Sequence, residues 1–356
     1  MNTFKKIGLT ALATSMVASS AAYSADAAVS GSFGYTYASE GGNTGGDNKG
    51  IGMRNKLNFN FSGEMDNGWS VSANTALLPG NFATSSQSLA MTMGGAGKIA
   101  VGNGWGGLGA GFDAVTPTAY EEAHDGFATA STLDSLGTLM DNGGIMYYSP
   151  SFDVGSGMSV ALEYGYSPKG NDTYVADGGA GTQSDSYISG QEAALRISGN
   201  GLKAGAYVSE MERHAGSASD SDPVDMTWFA NYTVGSVSFG YQHGYIDRGA
   251  ASGTGVATTA AKTLAGSTGL FEAEQMSVAF NLNDNMTISY TDQEDTHDTQ
   301  SSTVTGEVTM ETQSINIAYT VGSMSIAMVS SDQSNVGWDS NAGDATRKEL
   351  SVRLAF

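Results

Sequence analysis

Between residues 103 and 143 the chain carries Asp113, Glu121, Glu122, Asp125, Asp134 and Asp141, and no Lys or Arg occurs from Ile99 to Pro168. A run of carboxylates without counter-charge has two readings. Each acid is a solvated loop residue, or the run borders a water-filled passage with low-dielectric walls, where it would concentrate cations and repel anions. The run alone does not separate the two.

Other chemistry has less support. Only four His are present: His124, His214 and His297 lie among acids, and His243 shares the parity of Phe239, Tyr241 and Tyr245. No Ser or Asp nucleophile can be paired with an oriented His from neighbouring sequence features. The absence of Cys removes thiol nucleophiles, thiolate metal sites and a disulfide framework. Gly102-Asn-Gly-Trp-Gly-Gly107 fits G-x-G-x-x-G, but Gly106, Gly107, Gly109 and Gly111 would destabilise the helix whose amino-terminus a phosphate requires. Two acid groups, Asp292, Glu294, Asp295 and Asp298, and Asp220 with Asp222, offer oxygen ligands for loop calcium. Neither has the spacing of the regular calcium loop, and solvated acidic loops account for both more simply. A net charge of -21 disfavours nucleic acid, whose phosphates need clustered Lys and Arg.

The elements that must position these residues are strands. In the last ten residues Leu350, Val352, Leu354 and Phe356 share one parity, while Glu349, Ser351, Arg353 and Ala355 share the other. The same two-residue period recurs in 29–38, where Val29, Phe33, Tyr35 and Tyr37 alternate with Ser30, Ser32 and Thr36. In 54–62, Leu57, Phe59 and Phe61 alternate with Arg54, Lys56, Asn58, Asn60 and Ser62. Further segments are 69–77, 87–93, 98–102, 144–149, 158–166, 187–198, 202–211, 224–234, 237–247, 271–282, 286–292, 310–321 and 324–332, which with the last strand predicts sixteen. Short connectors at 65–68, 94–96, 200–201, 235–236, 283–285 and 322–323 alternate with long ones. The long ones run near 40–50, 79–86, 103–143, 167–186, 212–223, 248–270, 293–309 and 333–346.

That alternation is the pattern of an all-β, antiparallel transmembrane barrel, with short turns on one side and long loops on the other. No segment approaches the ~20 apolar residues of a spanning helix. Forty-nine Gly, five Pro and a mean hydropathy of -0.18 fit dispersed, alternating apolar residues rather than a helical membrane protein or a disordered chain. A sixteen-stranded barrel is too wide to fill with side chains, so the apolar phase is expected to face lipid and the polar phase water. Tyr37, Trp69, Tyr147, Tyr166, Trp228, Tyr232, Tyr241, Tyr245 and Tyr290 suit the interfacial girdles. Residues 1–27 read as a secretory signal, with Lys5 and Lys6 before a short apolar core and a small-x-small site at Ala25-Asp-Ala27. The barrel is then 28–356.

Taken together, the length, strand count, final Phe356 and long third loop resemble the general Gram-negative porins, particularly those of alphaproteobacterial type. The resemblance implies an outer-membrane channel for passive diffusion of small hydrophilic solutes and ions, without a cofactor and usually trimeric. It also implies that loop 103–143 folds into the barrel as a constriction facing a basic wall. Here the polar-phase Arg54, Lys56, Lys98 and Arg196 would supply that wall, diluted by Glu163 and Glu192. The surrounding partners would be outer-membrane lipids and lipopolysaccharide. The strand ending Leu350, Val352, Leu354 and Phe356 resembles the signal read by the barrel assembly machinery. A substrate-specific channel is the alternative, with a barrel enzyme or adhesin behind it.

Overall fold

The computed structural model describes residues 25–42, 48–77, 83–104, 106–137, 140, 142–168, 187–213, 222–249, 269–300 and 306–356. Its strands are β1 (Ala25–Gly42), β2 (Asn48–Glu64), β3 (Ser70–Leu77), β4 (Thr84–Thr92), β5 (Lys98–Asn103), β6 (Asn142–Tyr148), β7 (Phe152–Gly155) and β8 (Met158–Ser167). They continue as β9 (Tyr187–Gly199), β10 (Leu202–Arg213), β11 (Val224–Val234), β12 (Val237–Asp247), β13 (Leu270–Asn283), β14 (Met286–Asp298), β15 (Glu307–Val321), β16 (Met324–Gln333) and β17 (Ala345–Ala355). Every pairing is antiparallel, and β1 pairs with both β2 and β17. The sheet closes on itself and leaves no edge strand among the described residues.

Both β6 and β7 pair with β8, so together they form one stave, and the barrel has sixteen. The break lies at Ser149-Pro150-Ser151. Proline has no N–H to donate to a ladder, and Ser149 Oγ instead accepts the Leu162 amide at 2.8 Å.

The two phases separate as alternation predicts. On β13, Phe271, Ala273, Gln275, Ser277 and Ala279 are buried toward the inside, while Glu274, Met276 and Phe280 are exposed on the outside. Large apolar side chains such as Ile51, Met53, Leu89, Leu162, Trp228, Tyr232, Tyr290 and Ile315 are likewise exposed on the outer wall. An exposed apolar band of this extent is stable against hydrocarbon and not against water.

Several strands overrun their expected limits. β2 starts at Asn48, and β14 continues to Asp298 with polar residues on both faces. Beyond the bilayer neither face needs to be apolar, so the ladder persists where the alternation signal stops. This overrun removes the first calcium group: Asp295 points inward and is fully buried, whereas Glu294 lies on the outer face with Glu272 and Asp298. Neighbours on opposite faces of one strand cannot converge on an ion. Asp220 of the second group, His214 and Asp141 lie outside the described residues, as does 1–24 of the expected leader. Ala25, Asp26 and Ala27 pair with Gly63, Ser62 and Phe61 at the start of β1.

Candidate functional site

The site is built by the segment after β5. Gly104, Gly106 and Gly107 take positive φ of 62°, 75° and 59°, which turns the chain away from the wall at little steric cost. Leu108 then donates its amide to Glu192 Oε1 at 2.9 Å, and the other Glu192 oxygen accepts the Tyr207 hydroxyl at 2.9 Å. Phe112 packs on the rings of Tyr207 and Phe229, with centroids 5.3 and 5.8 Å away. All of these wall residues have the inward parity.

From there the loop crosses one wall residue after another. The Val115 amide donates to Gln242 Oε1 at 2.8 Å, and Asn231 donates to the Val115 carbonyl at 2.7 Å. Gln275 donates to Thr116, and the Ala119 amide donates to Ser289 Oγ at 2.8 Å. Tyr120 donates to Glu349 at 2.9 Å, Thr132 to Asp295 at 2.8 Å, and Gly137 to Asp225 at 3.0 Å. The loop therefore lies against the inner face of β9 to β17.

Two inward glycines make room for it. A Cβ at Gly244 would sit 2.6 Å from Leu133 Cδ2, and one at Gly240 would sit 2.9 Å from Thr116 Cβ. Beneath the loop Leu108, Phe112, Leu133, Leu136, Tyr207, Phe229, Ile246 and Phe271 form an apolar cluster inside the barrel. The inner phase is polar and small as expected over much of the wall, and where the loop covers it the inner phase includes this apolar core. On the opposite side the inner faces of β2 and β3 remain polar, with Asn74 donating to Asn60 at 2.7 Å.

The loop acids fall into two groups. Glu121 lies 3.5 Å from Arg54 Nη1, and its amide donates to Asn316 at 3.3 Å. Burial, and then the charge of Glu349, raises the Glu121 carboxyl above its ordinary range. The second group is Asp113, Glu122, Asp125 and Asp134 around His124, whose side chain is only 3% exposed. His124 Nε2 lies 3.5 Å from Glu122 Oε2 and 3.8 Å from Asp134 Oδ2. Burial, with Glu122 and Asp134 adding charge, pushes Asp113 up to about 8, and burial brings Glu122 to about 7. Burial pulls His124 down, but the Asp134 and Glu122 carboxylates outweigh it and raise it to about 9. Asp134 is lowered by its interaction with His124.

The expected basic residues divide. Arg54 meets a loop acid. Arg196 reaches the loop differently: it donates to Glu163 at 2.9 Å and to the Gly111 carbonyl at 3.2 Å, with its guanidinium 4.2 Å over the Phe112 ring. Lys98 caps the ring of Tyr148 at 3.9 Å beside the short turn at 94–97, and Lys56 is exposed on β2. Glu192, expected only to dilute the basic wall, is instead a seat for the loop backbone.

Sequence reasoning missed Arg347, which pairs with Glu349, lies 3.1 Å from Glu40 Oε1 and donates to the Gly126 carbonyl at 3.2 Å. Its signal was present in the polar phase of the last strand, which Arg347 shares with Glu349. His243 keeps the outward phase expected for it and meets Glu272 at 2.7 Å.

A closed barrel with an apolar outside, a polar inner face and an acid-bearing loop laid along its inner wall has the architecture of an outer-membrane channel. The chain belongs to the Gram-negative porin family, which it matches over residues 8–354. No curated protein sequence matches it. Among solved structures it is similar to an anion-selective porin from Comamonas acidovorans, at 11% identity, TM-score 0.62 and coverage of 93% of this chain and 100% of that one. It is also similar to Salmonella typhi OmpF in complex with daunomycin, at 10% identity, TM-score 0.65 and coverage of 93% and 97%. The trimer form of Vibrio cholerae OmpT aligns at 10% identity and TM-score 0.58, with coverage of 93% and 99%. Membership of that family makes the protein a channel of the outer membrane of a Gram-negative bacterium.

Proposed function

We propose that the channel passes small hydrophilic solutes and ions by diffusion and prefers cations, with loop 103–143 setting the narrowest part. The observation that carries this reading is the charge on the loop itself: Asp113, Glu121, Glu122, Asp125 and Asp134 among the described residues, with no Lys or Arg. Asp141 adds a sixth acid outside the described residues. Arg54 faces one of these carboxylates, and Arg347 is engaged by Glu40 and Glu349. Lys56, Lys98 and Arg196 complete the basic side of the passage in this reading.

The wall acid Glu163, paired with Arg196 at 2.9 Å, reduces its positive charge further, so the excess near the loop is negative and a focused field favours cations. The anion selectivity of the Comamonas acidovorans porin belongs to that protein. The test is a reversal potential across a planar bilayer under a salt gradient. A potential of cationic sign that shrinks toward 1 M salt, where the Debye length is about 3 Å, is expected. A potential of anionic sign overturns the assignment.

In the same proposal residues 1–27 are removed on export, three copies assemble, and the last strand is the assembly signal. The mass of the mature chain and the mass of the particle in mild detergent test the first two.

A further inference from the structure

The cluster around His124 has a feature that ion preference does not require. Its donor atoms form two overlapping triads that share Glu122: Glu122, His124 and Asp125, and Asp113, Glu122 and Asp134. Within each triad the ligand atoms lie within 4.8 Å of one another. The His124 side chain is 3% exposed: its Nε2 faces Glu122 and Asp134 as charged neighbours at 3.5 and 3.8 Å, and its Nδ1 makes no hydrogen bond. The buried Oδ1 of Asp113 is in the same state. Buried polar atoms in native proteins are nearly always satisfied, so a buried imidazole whose Nε2 and several carboxylate oxygens converge at 3.5–3.8 Å, beside an Asp113 oxygen without a hydrogen bond, calls for a shared partner.

The backbone holds this arrangement in place. The Glu122 amide donates to Asp125 Oδ2 at 3.3 Å, the Asp125 amide donates to the Glu122 carbonyl, and Phe127 donates to the His124 carbonyl. Asp134 follows Leu133 and Thr132, which are fixed by the Thr132 contact to Asp295. Asp134 is also 41% exposed, which leaves an approach from the water side. One imidazole nitrogen with several carboxylate oxygens is the donor set of a borderline divalent metal. Calcium and magnesium favour all-oxygen sites, whereas imidazole with carboxylate suits zinc or manganese.

We propose that loop 103–143 binds a divalent metal ion of the zinc or manganese class through His124, Glu122 and Asp134, with Asp113 and Asp125 completing or supporting the shell. The site stands on the loop geometry and does not depend on the channel preferring cations. Bound metal would join the two halves of the loop, 113–125 and 134, and neutralise part of its charge.

The test uses the full barrel in detergent, stripped with a chelator and titrated by calorimetry with zinc chloride and then manganese chloride. Saturable binding of one ion per chain is expected. His124→Gln and, separately, Asp134→Asn should each weaken binding by at least the roughly 10–100-fold that losing even an outer-shell partner costs. His243→Asn, which alters the outer-wall group with Glu272 and Glu274, should leave it unchanged. Far-UV circular dichroism confirms that each variant keeps its barrel. Folded wild-type protein that takes up neither metal overturns the proposal. So does binding that survives both loop variants, or that is lost in His243→Asn and thereby assigned to the outer wall. A reversal potential of anionic sign in metal-free buffer would count against cation preference and leave the metal result standing.

Discussion

Glu121 and Glu122 are neighbours in sequence with different surroundings. Glu121 is held between Arg54 and the Glu349 side of the wall, and Glu122 faces His124. Replacing both with Gln removes charge with little change of shape, so the cation-to-anion permeability ratio should fall while assembly is unchanged. An unaltered ratio would remove both residues from the selectivity assignment. The acids also predict a pH dependence. Asp113 and Glu122 are raised to about 8 and about 7, so each is partly protonated near neutrality and gains negative charge as pH rises. His124, raised to about 9, loses positive charge in the same direction, and Asp125 and Asp134 beside it are the other charges of the group. In chelator-treated buffer the cation preference should therefore increase from about pH 6 to about pH 9. A flat reversal potential over that interval would show that these groups do not face the ion path. These acids were legible because the long run lacks Lys and Arg. The wall seats of the loop were not: Glu192, Asn316 and Glu349 accept from Leu108, Glu121 and Tyr120 through contacts spanning 84, 195 and 229 residues, which no local spacing encodes.

The strand elements follow directly from alternation, which is why fifteen of the staves and the long and short connectors can be read from the chain. The sixth stave is read only in part. Phe152–Gly155 is a four-residue strand separated by Pro150, too short to show a period. The lay of the loop was not legible either, because it depends on side chains that pattern as lumen-facing yet become buried. Phe112 and Leu133 look like stray apolar residues in a loop, and Gly240 and Gly244 look like weak points in a strand. Together they are a knob and a recess. Substituting Gly244→Val should push Leu133 off the wall, and Asp295→Ala should strand the Thr132 amide and the Gln293 side chain at a cost of about 1–3 kcal/mol. Both variants should keep the barrel and free the loop. Single-channel recordings should then show larger or noisier conductance, and protease added to folded barrels should cut between 103 and 143. Quiet, unchanged channels would mean that the loop holds its position without these contacts.

At the scale of the whole molecule the last residue completes the seam. Gly31 and Phe356 exchange both backbone hydrogen bonds, at 2.9 and 3.0 Å, and the rings of Phe33 and Phe356 stack with centroids 5.7 Å apart. Leu350, Val352 and Leu354 present the same outer face on the strand leading to it. Deleting Phe356 removes the stack and both bonds, so the yield of folded, inserted barrel should drop, measured by refolding into vesicles alongside the intact chain. Equal yields would refute the role of the final residue.

The same seam has a second consequence, through Tyr120, Gly126 and the side chains of Glu349 and Arg347. The strand that finishes the wall also carries the posts on which the far end of the loop rests. A barrel whose last strand has not yet joined the first therefore lacks that resting place, and its loop keeps its seats along β9 to β15 and the Arg54 contact from β2. If the loop sets the narrowest part, as proposed, narrowing of the bore is tied to completion of the wall, and one strand links the order of assembly to the calibre of the passage.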